Sequence, residues 1–412
     1  MEKMKIDKLS AFGIYFFAAV APFSNAGMEI GIGFLFLIWI FKIVLERKVL
    51  FHFDIITKFI LAYFLVMVVS GLFSERPVRS ALMIKEEWIV LVYFAIVNLL
   101  PSRKVFHRAL TVLAVSCSLV GLYAVWQHFY GIDLIRLVEF PNYGGYFRSG
   151  GCFGFCLTFG GFYIIAYIVS LGCFLGAREM KDKILYLSSS IIIFLAVIAS
   201  YTRSSWLGAA AGSVLFAVAH NWKTGLKYIA VFLLFWAGIY LFHPTLFTEY
   251  GVTSITDPNY SEGSQMRMDL WKKGFEMWKD NPVLGLGQGN FSYFHEKYNF
   301  EEHIFGFAHL HNEYLNVAVQ TGILGLLAFL GIWIFYIFSC LKFWVKEKEI
   351  DFKTASAVLG CAGAISGILA AGMFQCFYTD IEVGMFWWFI AGLSSGVIAL
   401  GQKDAPEDQM TL

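Results

Sequence analysis

The sequence predicts an all-α, polytopic membrane protein with about twelve transmembrane helices. Of its 412 residues, 58% are hydrophobic and only 15% are charged, whereas a soluble domain carries about 25% charged residues. The apolar residues form long runs, and about 17 to 25 such residues suffice for a helix to cross a bilayer. The twelve predicted spans are 9–24, 27–45, 55–73, 80–100, 106–130, 149–176, 184–201, 204–220, 224–243, 311–341, 354–378 and 382–401.

Basic residues in the short loops predict how these spans are oriented, because Lys and Arg resist translocation. With a cytoplasmic N-terminus, the inner segments hold most of the loop cations, namely Lys3, Lys5, Lys8, Lys42, Arg47, Lys48, Arg103, Lys104, Arg108, Arg178, Lys181, Lys183, Lys342, Lys346, Lys348 and Lys353. The opposite short loops are much poorer in Lys and Arg. We therefore expect both termini in the cytoplasm.

This alternation divides the chain into four parts. Residues 1–243 contain the first nine predicted spans, and residues 311–401 contain spans ten to twelve. Residues 244–310 lie between them and are polar enough to form a small helical cap on the outer face. Residues 402–412 form a short cytoplasmic tail. We expect the functional residues on the outer face, where the cap meets the spans.

The cap contains an amphipathic helix, predicted at about 265–280. Trp271, Phe275 and Trp278 recur there at i, i+4 and i+7, so they share one helical face. Ser264 is the expected N-cap, and an Asp-Asn-Pro sequence is the expected stop. With lysines on its other faces, the helix is expected to lie at the level of the lipid headgroups.

Arg267 is predicted in the first turn of this helix, where the positive end of the helix dipole disfavours a cation. A bound anion would resolve that conflict, because the free N–H groups of a helix start bind phosphate. The alternative is a structural salt bridge to Asp269, Glu262 or Asp257.

Arg203 is a second unusual cation, because it lies in SYTRSSWLG between two predicted spans that almost no loop separates. A charge at the end of a span is costly unless it is paired or hydrated, and it therefore indicates function. A snorkelling arginine at the interface is the alternative. Arg136 and Arg148, in the shorter outer loop 131–149, are weaker candidates of the same kind.

Two further features look functional but have simpler explanations. The glycine-rich run 283–291, VLGLGQGNF, lacks G-x-G-x-x-G, a preceding strand and a Walker lysine. We therefore predict a tight turn that returns the cap to the membrane.

Lys85, Glu86 and Glu87 lie inside a predicted span, and mutual ion pairing is favoured over a relay role.

The stretch 308–325, AHLHNEYLNVAVQTGILG, places two histidines where a water-exposed loop enters an apolar helix. A neutral imidazole is the usual general base near pH 7. His311 shares a helix face with Tyr314, whereas His309 precedes the helix and is placed to orient a ligand or its neighbour. The spacing H-x-H-N is too generic for a metal site, and we predict neither a metal nor a cofactor.

These residues carry a resemblance to the O-antigen ligase and polymerase superfamily. His311-Asn312, nine residues, and then Gly322-Ile-Leu-Gly325 fit the pattern H-[NSQ]-x9-G-x-x-G. TRSSWLG, RMDLWKKGFEMWKDNPVLGLGQGNF and HLHNEYL also occur in the order found in that family. The likeness covers roughly residues 190–340 by motif and the remainder only by topology.

The resemblance implies a metal-independent glycosyltransferase of the GT-C class whose donor is a glycan linked by pyrophosphate to undecaprenyl. Arg203 and Arg267 match the arginines that grip the pyrophosphate, and His311 matches the essential histidine. We expect direct, inverting displacement by an acceptor hydroxyl that His311 deprotonates. The residues expected to bind substrate are His309, Asn312, Tyr314, Arg148, Arg136 and Trp271.

The acceptor is predicted less directly than the donor. O-antigen ligases use the lipid A core, polymerases extend a second lipid-linked repeat, and related enzymes modify a protein hydroxyl. The compact outer loop and the ending of the sequence soon after its last span favour the ligase, in the bacterial inner membrane with a periplasmic site. A net charge of +1 implies no nucleic-acid partner, and the expected partners are the donor, the acceptor and membrane lipids. A secondary transporter is the alternative from another class.

Overall fold

The computed structural model describes residues 2–47, 51–143, 146–242, 262–300 and 307–403. Its α-helices in these ranges are α1 Glu2–Val20, α2 Asn25–Glu46, α3 Ile55–Leu72, α4 Pro77–Ile84, α5 Leu91–Leu99, α6 Arg103–Tyr130, α7 Cys156–Gly176, α8 Met180–Ala199, α9 Arg203–His220, α10 Trp222–Phe242, α11 Glu262–Asp280, α12 Glu313–Glu347, α13 Phe352–Ala371 and α14 Ile381–Lys403. Two 3₁₀ segments, Lys85–Val90 and Phe291–Phe294, complete the helical part.

Among the described residues, eight helices are long and apolar enough to cross a membrane, and they are α2, α3, α6, α7, α8, α12, α13 and α14. The protein is therefore a mostly helical, multi-pass membrane protein. The other four predicted spans also coincide with helical segments, at α1, α9, α10 and 77–99. That these four cross the membrane, and the total of twelve, remain predictions.

The segment predicted as one span at 80–100 is divided into α4, a 3₁₀ turn and α5. The division falls at the charged residues. Lys85 pairs with Glu86 at 3.8 Å on the surface, as predicted, whereas Glu87 turns inward and accepts a hydrogen bond from the Tyr378 hydroxyl at 3.0 Å. The 3₁₀ turn thus directs the Lys85–Glu86 pair to the surface and Glu87 to the interior.

Close packing through glycine builds the centre of the bundle, where α13 packs against α7 and α9. A Cβ atom added at Gly172 would lie 2.6 Å from the Gly360 Cα atom, and one added at Gly212 would lie 2.6 Å from the Gly363 carbonyl oxygen. Small residues let helix backbones approach this closely in membranes. The backbones of the three central helices are therefore in direct contact.

The loop between α6 and α7 contains two small antiparallel ribbons that the all-α prediction lacks. Strands β1 Ile132–Asp133 and β2 Val138–Glu139 form one, and β3 Asn142–Tyr143 and β4 Tyr146–Phe147 form the other. The buried carboxylate of Asp133 organises the first ribbon, because it accepts hydrogen bonds from the Ile135 amide and the Tyr123 hydroxyl, both at 2.9 Å.

Helix α12 is interrupted at Gly322, whose φ of 65° and ψ of −169° are not helical. The glycine-rich run docks on this break. The Leu286 amide donates to the Val319 carbonyl at 2.8 Å, and the Gly287 amide donates to the Gln320 carbonyl at 2.9 Å. A side chain at Gly322 would collide with the Val283 carbonyl. The run is therefore a turn, as predicted, and the predicted span 311–341 is not one regular helix.

The cap forms a second small core around α11. Leu270 and Met277 from this helix are fully buried with Leu286, Phe291, Phe294, Tyr298, Phe300, Leu310 and Val319. Helix α11 begins at Glu262, so the prediction of Ser264 as its N-cap is wrong. Arg267 consequently lies in the second turn rather than the first, where the helix dipole acts more weakly on its charge.

Candidate active site

The segment His309 to Asn312 enters α12 through an unusual backbone conformation. His311 has a φ of +50°, a value that side-chain-bearing residues adopt rarely and that clusters at functional sites. Asn312 is extended, and its side-chain oxygen accepts a hydrogen bond from the Leu315 amide at 3.0 Å. Asn312 therefore caps the helix, and the cap fixes the position of His311 immediately before it.

The His311 ring is 8% exposed and is hydrogen-bonded on one side only. Its Nδ1 atom faces the amide oxygen of Gln375, which is itself 5% exposed. Its Nε2 atom is buried and has no hydrogen-bond partner among the described residues. With the Gln375 amide oriented so that its oxygen faces the ring, Nδ1 is the donor and the lone pair lies on Nε2.

His311 is kept neutral by its surroundings. Burial lowers the pKa of the imidazole below its usual value, although the hydrogen bond to Gln375 raises it, and the charge of Arg267 lowers it further. A neutral ring with a free lone pair is the form that can remove a proton.

His309 supports the same arrangement. Its ring centre lies 4.4 Å from that of His311, and its Nδ1 atom accepts a hydrogen bond from the His311 amide at 3.3 Å. Burial, followed by the influence of His311 and Arg267, lowers the pKa of His309 to about 4. His309 is therefore neutral near pH 7, and it positions the backbone of its neighbour, one of the two roles expected from the sequence.

Arg267 provides positive charge beside the histidines. Its Nε atom is buried and unpartnered among the described residues. Burial, together with the charges of Arg203 and Arg148, lowers the pKa of Arg267 to about 10. The three guanidinium groups thus act on one another, although their positions in the sequence are far apart.

The alternative explanation of Arg267 as a salt-bridge partner receives no support from the part of the chain that the structure describes. Asp269 pairs with Lys272 instead, at 3.2 Å, and no ion pair of Arg267 is present among the described residues. Asp257 and the side chain of Glu262 lie outside the described residues. Gathering like charges is unfavourable unless an anion lies between them.

Local backbone contacts bring Arg148 and Arg203 together. The Ser149 amide donates to the Ala199 carbonyl at 3.0 Å, which ties the residue after Arg148 to the end of α8. Arg203 is the first residue of α9 and follows Tyr201, whose φ of +49° turns the chain sharply. The short α8–α9 connection, noted in the sequence, is what presents Arg203 at this end of the bundle.

Besides His309 and Asn312, three more of the residues expected to bind substrate make structural contacts. Arg136 pairs with Asp133 at 3.0 Å and donates to the Cys152 carbonyl at 2.6 Å. The Trp271 indole N–H donates to the Leu310 carbonyl at 3.0 Å. The Tyr314 hydroxyl donates to the Leu369 carbonyl at 2.6 Å. Trp271 and Tyr314 still border the site, whereas the guanidinium of Arg136 is held within its own loop.

An apolar groove of about 670 Å³ lies between α11 and α12. Its lining residues are Met268, Trp271, Lys272, Phe275, Trp278, Asn312, Tyr314, Leu315, Ala318, Ile323 and Leu326. The predicted aromatic face of α11 is confirmed as one face, but it faces this groove and α12 rather than lying solely against lipid headgroups. The lining includes Asn312 and Met268, which directly follow His311 and Arg267 in the sequence.

Gln375 is the residue that the sequence analysis missed, because the predicted span 354–378 included it in a helix. Helix α13 instead ends at Ala371, and residues 372–380 form a loop. The Glu313 amide donates to the Gly372 carbonyl at 2.7 Å, and the Tyr378 amide donates to the Glu313 carboxylate at 2.8 Å. Both ends of the loop are therefore fixed to the start of α12. A polar residue within an apolar run was the available signal.

The arrangement combines a neutral base with a cluster of three cations and an apolar groove. Residues 188–330 match a family described as O-antigen ligase. The matched range includes Arg203, Arg267 and His311, but neither Arg148 nor Gln375. No curated protein matches this chain.

Proposed function

We propose that this chain, a member of the O-antigen ligase-like family through residues 188–330, transfers a glycan from undecaprenyl pyrophosphate to a hydroxyl of the lipid A core. The family implies a membrane enzyme with a lipid-linked glycan donor and a glycan acceptor. We further propose that this reaction belongs to lipopolysaccharide biosynthesis and takes place at the periplasmic face of the inner membrane. The observation that carries it is the pair of buried atoms without hydrogen-bond partners among the described residues, Nε2 of His311 and Nε of Arg267, with the charges of Arg203 and Arg148 acting on Arg267.

In the proposed step, the Nε2 atom of His311 takes the proton of the acceptor hydroxyl. The acceptor oxygen attacks the anomeric carbon, while the bond from that carbon to the phosphate oxygen breaks. The bonding electrons leave with undecaprenyl pyrophosphate, and the configuration at the anomeric carbon inverts. One proton passes to His311 and one negative charge to the leaving group.

Arg203 and Arg267 stabilise the charge that develops on the leaving pyrophosphate. Guanidinium groups bind phosphate oxygens with two parallel hydrogen bonds, which lysine cannot do. Such preorganised stabilisation is worth several kcal/mol in other enzymes. The buried and unpartnered Nε atom of Arg267 supports this role.

The groove between α11 and α12 supports a lipid-linked substrate. Its aromatic and aliphatic walls suit an isoprenoid chain, and its lining residues Asn312 and Met268 are the sequence neighbours of His311 and Arg267. The groove would then hold the alkyl chain of the donor, and the arginines would hold its pyrophosphate. One amphipathic donor would occupy both.

The test is a transfer assay with the purified protein in lipid nanodiscs. The donor is an undecaprenyl-pyrophosphate-linked glycan, and the acceptor is either lipid A core or a second lipid-linked repeat. We expect a product whose mass equals lipid A core plus glycan. Elongated lipid-linked glycan would instead identify a polymerase, and a glycosylated protein an oligosaccharyltransferase. Recovery of donor and acceptor with no new bond would contradict the proposal and favour a transporter.

A further inference from the structure

We propose that Gln375 is a positioning residue that holds the proton of His311 on Nδ1 and keeps Nε2 available as the base. The inference rests on the proposed function, because it assigns one atom of His311 to the proton transfer. The two ring nitrogens of histidine are distinct, and the partner of one decides the chemistry of the other.

The orientation of the Gln375 amide sets the direction of the hydrogen bond. The Oε1 atom of Gln375 faces Nδ1 of His311. In a neutral imidazole only one nitrogen carries hydrogen, so donation from Nδ1 leaves Nε2 without one. Nε2 is buried and unpartnered among the described residues, so it is the ring nitrogen whose lone pair remains for an acceptor hydroxyl.

The loop that carries Gln375 is held firmly against the segment that carries His311. Glu313, two residues after His311, is bonded to Gly372 through its amide and to the Tyr378 amide through its carboxylate. Tyr378 is held in turn, because its hydroxyl donates to Glu87 at 3.0 Å. The pair therefore belongs to one braced unit, which is the condition for precise orientation of a reacting group.

A neutral amide has a different effect from the carboxylate that often orients a catalytic histidine. The titratable and charged groups that act on His311 are His309, in the same segment, and Arg267, from α11, with the Cys376 thiol close to the backbone amides of the segment. Arg267 disfavours a second positive charge. An amide partner orients the ring without strongly favouring its charged form, so His311 stays neutral near pH 7.

The inference is tested with two variants of Gln375 in the nanodisc transfer assay. Gln375→Met has a similar volume but accepts no comparable hydrogen bond, and we expect kcat to fall about 10- to 100-fold with little change in the donor KM. Gln375→Glu keeps an acceptor and adds negative charge. It is expected to retain most activity at high pH and to move the acidic limb of the pH profile to higher pH. Gln402→Met, at the exposed end of α14, is the control and should change neither quantity.

A second readout needs no turnover. Diethylpyrocarbonate modifies neutral imidazole, and fragment-ion mass spectrometry that separates His311 from His303 and His309 in the same peptide reports the titration of His311. Gln375→Glu should shift this titration to higher pH, and Gln375→Met should shift it to lower pH. Unchanged titration in both variants, or full kcat in Gln375→Met, would overturn the role of Gln375 while leaving the transfer reaction intact. Absence of transfer by the wild-type protein would instead overturn the proposed function and the inference that rests on it.

Discussion

The centre of the bundle and the end that carries the candidate site are built on opposite principles. In the centre, α7, α9 and α13 approach through glycines, as at Gly172 and Gly360. At the site end, two non-glycine residues, Tyr201 and His311, adopt positive φ, and cations gather around Arg267. The comparison teaches where stability and function reside. The centre is built for close contact, whereas the site end holds residues in strained backbone conformations and a buried cation, features that cluster at functional sites.

The sharpest way to test that division is to remove the proposed base. His311→Ala should reduce transfer by about 100- to 10,000-fold, the range that general bases contribute. The free energy of unfolding should decrease much less, because the substitution removes a ring that makes only one side-chain hydrogen bond among the described residues. Transfer rates and thermal unfolding in detergent measure the two effects. Near-wild-type transfer by a folded His311→Ala protein would remove His311 from the mechanism.

The opposite effect is expected in the centre. In Gly212→Val, the new side chain meets the Ile168 Cδ1 atom at 2.5 Å and the Gly363 carbonyl oxygen at 2.6 Å. Overpacking of this kind costs about 1–3 kcal/mol, so Tm and the yield of folded protein should fall. The matched control is Gly33→Val, because a Cβ atom there meets nothing within 4 Å. Equal Tm values for the two variants would contradict close packing in the centre.

A smaller loss of activity should follow when the geometry of one cation is changed but its charge is kept. Arg267→Lys removes the two parallel hydrogen bonds of guanidinium to phosphate, and we expect kcat/KM for the donor to fall about tenfold, the effect of one charge-assisted hydrogen bond. Arg108→Lys, an exposed arginine of α6, is the matched control. If both substitutions were silent, a bidentate role for Arg267 would be untenable.

The last effect concerns stability in acid. The pKa of His309 is lowered to about 4 in the folded protein, against about 6.5 in an unfolded chain. The unfolded chain therefore binds more protons between these values, so stability is full above about pH 6.5 and declines as the pH falls toward 4. His309→Gln should reduce this decline in Tm. A decline equal to that of the wild-type protein would show that His309 does not contribute to it.

Much of the site could be predicted from the sequence, because its main residues are chemically out of place. A charge beside a span at Arg203 and histidines at the start of an apolar helix are visible without coordinates. The dipole argument for Arg267 was less sound, since α11 begins earlier than expected, at Glu262. What supports Arg267 is its proximity to Arg148 and Arg203, which only the tertiary structure reveals.

The remaining differences arise where apolar sequence does not continue as regular helix. Gln375 was hidden in a predicted span, because hydropathy alone does not reveal that α13 ends at Ala371. The break at Gly322 was likewise not predicted, although the glycine itself was recognised. Gly322 accommodates the docked glycine-rich run, and a side chain at Gly325 would collide with Thr321. Two glycines of the sequence pattern thus have a structural explanation.

The central claim is that the arginine cluster binds the pyrophosphate of the donor, and the most direct measurement is the affinity for a short analogue, farnesyl pyrophosphate. Isothermal titration would compare the wild-type protein, Arg203→Ala, Arg267→Ala and the control Arg108→Ala, all in nanodiscs of neutral lipid. We expect the two site variants to bind at least about tenfold more weakly, as one lost charge-assisted contact requires, and the control to bind as the wild type does. Equal affinity in all four proteins would contradict the account.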